Sequence, residues 1–260
     1  MSSSPSVDLQ DVHDFLIDVA YRAGGMITSA KPVAAGSGMK KNSADLVTET
    51  DQAVEKMVSS SLKEKYPEFE SNLDSLTSPS LFPSHSIVDP IDGTTNFFHG
   101  HPYLCVSLGL AINQKPVLGV IYNPFTKTLY TGIKGQGAYL TDPCHNRARL
   151  PLRDPKEAGG AMVHGIRSLG SAELNMCGVA AGHLDLYWES GCWAWDVCAA
   201  WVIVEEAGGK VVGCHQGDWD PKIDQRRYMS VRAGQDQEKI VEEFWGCVQG
   251  KLEVGYDTVS

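Results

Sequence analysis

The run Ser86-Ile87-Val88-Asp89-Pro90-Ile91-Asp92-Gly93-Thr94-Thr95-Asn96 constrains this chain more than any other stretch, because a buried strand delivers two carboxylates and then stops at a glycine. Ile87 and Val88 read as the end of a short apolar strand. Pro90, which cannot donate to a sheet ladder, is expected to force the chain out of it at once. Asp89 and Asp92 then converge from a tight turn. Ionised carboxylates are hard oxygen donors suited to Mg²⁺ or Mn²⁺, and the Ile91 carbonyl could add a third oxygen. Gly93 permits close backbone approach, and Thr94, Thr95 and Asn96 are residues that open helices, whose first N–H groups attract anions such as phosphate. A solvated acidic turn is the bland alternative for Asp89 to Gly93 taken alone. A calcium helix-loop-helix fails, since Ile91 and Gly93 fall at ligand positions and no Glu closes the loop. A haloacid-dehalogenase-type nucleophile pair needs aspartates two apart, and these are three apart.

Composition narrows the partners. With 260 residues, 42% hydrophobic and 21% charged, the chain can bury a sizeable core as one large domain or two intimately packed ones. A formal net charge of −10, with Lys40-Lys41 and Arg226-Arg227 as mere pairs, argues against nucleic acid or an anionic membrane as partner. Phosphate affinity would therefore need metal ions. Seven scattered cysteines without CxxC pairs predict reduced thiols. The residues from Met1 to Pro5 lack the basic and apolar regions of a secretory signal, and no run nears the roughly 20 apolar residues of a span, so cytoplasmic residence is the expectation.

Apolar spacing at Val12, Phe15, Leu16, Val19, Ala20 and Ala23 predicts a helix ending near Gly24-Gly25 or slightly beyond. Thr48-Glu49-Thr50-Asp51 has the form of a capping box, followed by Val54, Met57, Val58 and Leu62 on one face, so a second helix should run to about Lys65. Residues 68 to 84 are rich in Ser, Pro and Thr and predict a loose loop of unusual length. Tyr103 to Ile112, Pro116 to Tyr122 and Thr128 to Ile133 should form an antiparallel meander, continued by residues 135 to 140. A polar connection precedes a short strand from Ala161 to His164, a helix around Ser171 to Ala181, and a strand from Leu184 to Trp188. Trp195 to Ala207 is strongly helical and stopped by Gly208-Gly209, and Lys210 to Val212 starts a strand.

Asp196 is placed at the start of that helix, where the dipole favours a carboxylate. The string Trp195-Asp196-Val197-Cys198-Ala199-Ala200, followed by Glu206-Ala207-Gly208-Gly209, together with Asp89-Pro90-Ile91-Asp92-Gly93-Thr94-Thr95-Asn96, resembles the two signatures of the inositol monophosphatase family. Asp45-Leu46-Val47-Thr48-Glu49-Thr50-Asp51 and Val163-His164-Gly165-Ile166-Arg167-Ser168-Leu169-Gly170 extend the resemblance over most of the chain, which is similar to fungal members, including those of quinate-utilisation clusters.

That resemblance implies a mixed α/β fold, a layered αβαβα sandwich, with an N-terminal half over 1–142 and a C-terminal half over 143–260. It implies Mg²⁺-dependent, lithium-sensitive hydrolysis of inositol monophosphate or a related polyol or sugar phosphate by a directly attacking water, in a protein that is commonly a homodimer. Asp89 would bridge two ions, Ile91 would supply its carbonyl to the first, and Asp92 and Asp196 would bind the second. Gly93 and Thr94 would hold phosphate oxygens, the Thr94 hydroxyl would orient the water, and Asp45 would lie near a third, weaker metal. Glu189, the neighbourhood of Ala172, and Asp196 would meet substrate hydroxyls. His99 and His101 are expected to be structural or exposed, Arg167 to brace a sheet or subunit contact rather than bind phosphate, and Trp188, Trp193, Trp195 and Trp201 to be core and site-wall packing.

Two departures from the family stand out. Its Gly-Glu-Glu string, whose first Glu completes the first metal site, is absent between the second helix and the aspartate strand, and Glu70 or Asp74 is a poor substitute. Between Lys156 and Gly160 the strand and helix that the family inserts are missing, which predicts an incomplete second domain. A catalytically impaired relative, retained for binding or regulation or representing a truncated gene product, is therefore the competing expectation.

Overall fold

A computed structural model of the chain describes residues 7–30, 43–67, 69–71, 84–156 and 163–250, without the side chains of 43–48, 70, 71, 84 and 85. The loop containing Pro32, Gly36 and Gly38, most of the predicted 68–84 loop, the junction after Lys156, and Ala161 and Met162 lie outside the described residues.

Helix α1 (Leu9–Ser29) is capped by the Asp8 side chain, which accepts from the N–H groups of Gln10 and Asp11, and it buries Val12, Leu16, Val19, Ala20, Ala23 and Ile27. It runs through Gly24-Gly25 rather than ending there. A Cβ on Gly24 would lie 2.6 Å from the Tyr122 ring, so this glycine serves close helix-to-sheet packing. Helix α2 (Ser43–Lys65) begins well before the predicted capping box, which becomes helix interior. No Gly or Pro interrupts this segment, and Ala44, Leu46 and Glu49 are good helix formers, so propagation wins over the local cap.

The main sheet has seven strands in sequence order: β1 (Glu70–Ser71), β2 (Ser84–Asp92), β3 (Cys105–Ile112), β4 (Lys115–Asn123), β5 (Thr128–Ile133), β6 (Gly137–Thr141) and β7 (Ala148–Arg149). The predicted meander holds, every pair from β2 onward being antiparallel. Pro90 does not eject the chain: β2 continues to Asp92, and the pairing register with β3 shifts between Asp89 and Asp92. That irregularity accommodates the residue that lacks an N–H, and it re-aims the two carboxylates. Helix α3 (Thr94–His99) follows, as expected, from Gly93 as N-cap.

Helix α4 (Ala172–Ala181), strand β8 (Leu186–Ser190), a 3-10 turn (Ala194–Asp196), helix α5 (Cys198–Glu206), strand β9 (Lys210–Val212), strand β10 (Arg227–Val231) and helix α6 (Gln237–Cys247) complete the order. The smaller sheet is antiparallel with order β8-β10-β9. Residues 163 to 169 carry no strand; Val163 and Ile166 are exposed and nothing among the described residues pairs with them. Strand β10 and helix α6 are additions to the sequence reading.

The cores stack as layers. Helices α1 and α2 pack on one face of the main sheet through Val19, Ile27, Val58, Leu108 and Val120. Helices α4 and α5 fill the space to the small sheet through Met176, Ala199, Ile203 and Tyr228, and α6 covers the far side through Val241 and Trp245. The result is an αβαβα sandwich. Among the described residues no helix is long and apolar enough to cross a membrane.

A row of small residues positions α5. Gly109, Gly119, Gly132 and Ala138 are successive cross-strand partners on β3 to β6. A Cβ on Gly119 would lie 2.2 Å from the Ala199 carbonyl oxygen, and one on Gly109 2.7 Å from Cys198 Sγ, so the first turn of α5 rests on bare backbone. At its far end Glu206 accepts from the N–H groups of Gly135 and Gly137, each at 2.7 Å. Gly119→Ala is expected to cost about 3 kcal/mol, because rigid backbone rather than a flexible side chain must move. Gly25→Ala, where nothing lies within 4 Å of the new Cβ, should instead stabilise slightly. Urea unfolding of the two variants checks the contrast.

Candidate active site

The site forms where β2 ends, between the N-termini of α3 and α4 and the 3-10 turn before α5. Asp89, Asp92 and Asp196 each place a carboxylate oxygen within 4.8 Å of the others. Asp89 and Asp92 are buried and Asp196 is half-buried. Asp196, expected at the start of the helix, lies instead in the 3-10 turn that precedes α5; its Oδ2 accepts the Trp193 N–H at 2.6 Å and so closes that turn.

Asp92 is seated on the start of α4. Its Oδ2 accepts the Ser171 hydroxyl and, at 2.9 Å, the Glu173 N–H, and the Ala172 N–H also bonds to it. Ala172, the expected substrate neighbour, thus turns its amide toward Asp92. Asp89 Oδ1 accepts the Ile91 N–H at 3.0 Å, which folds the bulge inward. Burial pushes Asp92 up to about 7 despite the Ser171 hydroxyl, and Asp196 adds to the rise. Asp89 stands well above the usual range through burial and then the charges of Asp92, Asp196 and Asp51. Asp196 is raised by burial, while the Trp193 N–H, the Asp89 carboxyl and the Arg226 guanidinium oppose the rise. A buried cluster of like charges is what a divalent cation relieves, and the donor set is hard oxygen, which fits Mg²⁺ or Mn²⁺.

Gly93 is left-handed at φ 95°, and a Cβ there would meet Tyr103 O at 3.1 Å and Gly170 O at 3.2 Å. Asn96 Nδ2 donates to Tyr103 O at 2.6 Å and to Leu169 O at 2.7 Å, pinning α3 against the turn into α4. Thr94 is exposed at the first position of α3, where helix N–H groups lack intrahelical acceptors. Glu189 is open to solvent near the end of β8, with Tyr187 donating to it; its carboxyl is raised by partial desolvation and by Asp196. The Asp45 side chain, the Glu70 side chain and Asp74 lie outside what is described.

Three residues that sequence reasoning passed over belong here. Asp51, in α2, is raised to about 6 by burial and by Glu55, and its charge acts on Asp89. Its signal was spacing, since it precedes Val54 and Val58 by three and seven residues and so shares their inward face. Glu173 is fully buried; Ser107 Oγ donates to its Oε1 at 2.8 Å and the Ala200 N–H to its Oε2 at 2.7 Å. It is the lone charge in a helix of small and apolar residues plus Asn175, and that isolation was its signal. Ser171 is both N-cap of α4 and donor to Asp92. His99 and His101 are exposed, as expected, Arg167 is exposed as well rather than set against a sheet, and Trp201 is core. Trp193 stacks on Trp195 at 5.1 Å, with the Arg226 guanidinium 3.7 Å from its ring centre, so it walls the site.

Comparison with known proteins finds relatives over most of the chain. The inositol monophosphatase family model matches residues 8–164 and 152–249. Inositol monophosphatase 2 of Saccharomyces cerevisiae is 43% identical over 252 residues, covering 82% of this chain and 86% of the relative. Human inositol monophosphatase 1 is 36% identical over 263 residues (90% and 94% covered), and protein qutG of Emericella nidulans 31% over 317 (94% and 95%). Among solved structures, the inositol monophosphatase of Anabaena superposes with a TM-score of 0.72 at 28% identity, covering 90% of this chain and 95% of that one. The suppressor protein suhB of Bartonella henselae gives 0.73 at 28%, covering 94% and 100%.

Proposed function

The chain belongs to the inositol monophosphatase family, and from that premise we propose that it is a Mg²⁺-dependent phosphomonoesterase acting on inositol monophosphate or a related polyol or sugar phosphate. The convergence of Asp89, Asp92 and Asp196 within 4.8 Å carries the reading. Asp89 would contact two ions, the Ile91 carbonyl the first, and Asp92 and Asp196 the second. When bound, the metal supplies Lewis-acid polarisation of phosphoryl oxygens and a lowered pKa for water.

The chain's own groups do the rest. N–H groups at Gly93 and Thr94 hold phosphate oxygens, favoured by the positive end of α3, and the Thr94 hydroxyl orients the attacking water. Asp51, raised by burial and by Glu55, adds its charge to the field at Asp89. Glu189 accepts from substrate hydroxyls, and Asp196 stands near enough to share that task. Trp193 and Trp195 limit the entry of water from their side.

The test is phosphate release from inositol 1-phosphate with Mg²⁺ and with chelator. Release that requires Mg²⁺ is expected, and no release at any Mg²⁺ concentration would sink the proposal. The absence of the Gly-Glu-Glu string favours a second reading, an impaired enzyme that retains binding. A variant restoring that string between residues 70 and 76 separates the two: turnover equal to the unaltered chain counts against impairment.

A further inference from the structure

Glu173 has no place in the chemistry above, yet it bonds to three elements around the carboxylate cluster, the end of β2, β3 and α5. Its backbone N–H grips Asp92, at 2.9 Å. Its Oε1 takes the hydroxyl of Ser107, the residue paired with Asp89 across β2 and β3. Its Oε2 takes the N–H of Ala200, four residues beyond Asp196. Helix α5 has no side-chain cap of its own at Val197, so one of its orphan N–H groups is satisfied from a different helix. The side chain is 0% exposed and so meets neither solvent nor substrate.

We propose, resting on the metal-site reading above, that Glu173 is a positioning residue: by capping α5 from the first turn of α4 while anchored to Ser107, it fixes the spacing of Asp89, Asp92 and Asp196 for a cation. Groups behind metal ligands act this way by holding ligands that would otherwise relax apart under their own repulsion. The glycine row lets α5 descend onto the sheet, and Glu206 holds its far end to the β5–β6 turn. Neither of those sets the distance from α5 to α4 at the site end. Glu173 does. A geometric role is one that a glutamine should reproduce, its amide oxygen accepting from Ala200 and its amide nitrogen donating to a rotated Ser107 hydroxyl.

Direct Mn²⁺ binding to the full chain, read by the electron paramagnetic resonance of free Mn²⁺, tests this alongside thermal unfolding without metal. Glu173→Ala is expected to weaken Mn²⁺ affinity about tenfold to a hundredfold, and Glu173→Gln to stay within about threefold of the unaltered protein. At saturating Mg²⁺ the KM for inositol 1-phosphate should change less than about twofold in either variant, since Glu173 touches no substrate. Glu206→Ala, which loosens α5 from its other end, should lower the unfolding temperature and leave Mn²⁺ affinity unchanged, separating positioning from general loss of stability. Glu173→Ala binding Mn²⁺ as tightly as the unaltered chain overturns the proposal, as does a loss in Glu173→Gln equal to that in Glu173→Ala. An unaltered chain that binds no Mn²⁺ overturns the metal-site reading itself and this role with it. Should Glu173→Ala not fold, Ser107→Ala replaces it, with a several-fold loss of affinity in support and unchanged affinity against.

Discussion

Asp92→Asn should lower Mg²⁺-dependent turnover about a thousandfold, equivalent to about 4 kcal/mol of barrier, while raising the unfolding temperature of the metal-free protein. The two effects have one cause. Asp92 Oδ2 already receives the Ser171 hydroxyl and the Glu173 N–H, and an amide oxygen in that position accepts both, so the seat on α4 survives. The other oxygen becomes an NH₂ group, which repels a cation and donates to the neighbouring carboxylates. One of three crowded carboxyls loses its ability to ionise, and the Asp92 charge that adds to burial in lifting Asp89 is removed. Each kcal/mol of repulsion removed is worth about 2–4 °C for a chain of this size. Steady-state phosphate release and calorimetry with chelator check the pair; full turnover, or a lower metal-free unfolding temperature, would contradict the assignment of Asp92 to the cation.

Such opposition of function and stability explains what the sequence disclosed and what it hid. The meander was legible because Asn113-Gln114-Lys115 and Asn123-Pro124-Phe125 punctuate nearly continuous apolar runs, which are buried along almost their whole length. The continuation of β2 through Pro90 was not legible, since a proline breaks a ladder only where its N–H is needed, and the register shift at Asp89 removes that need. The early start of α2 was hidden by a strong capping signal at Thr48-Glu49-Thr50-Asp51 that helix propagation overrode. Asp89, Asp92 and Asp196 could be brought together only through resemblance, because 104 residues separate Asp92 from Asp196 in sequence. Glu173 and Asp51 stayed hidden for the same physical reason. A lone Glu beside a helix N-cap and an Asp at the end of a capping-box string each have an ordinary local explanation, and only tertiary packing turns them toward the cluster.

The metal-free protein should be most stable near about pH 4 and lose stability toward about pH 8, the reverse of the usual carboxylate behaviour. Asp92 is raised to about 7 and Asp51 to about 6, and Asp89, Asp196 and Glu173 are raised as well. An acid whose folded pKa exceeds its unfolded value binds more protons when folded in the window between the two. Stability therefore falls as pH rises from about 4 through the folded values, because the folded state must surrender protons that the unfolded chain has already lost. The lowered carboxylates, Asp11, Asp14, Asp142 and Glu238, have the opposite sign, but their contribution is lost only as pH falls below the ordinary carboxylate range, outside this window. A bound divalent cation favours the ionised cluster, so saturating Mg²⁺ should raise the unfolding temperature more at about pH 8 than at about pH 5. Scanning fluorimetry across that range, with Mg²⁺ and with chelator, reads both slopes. A Mg²⁺ increment that shrinks with rising pH would mean that the cation binds somewhere other than among Asp89, Asp92 and Asp196.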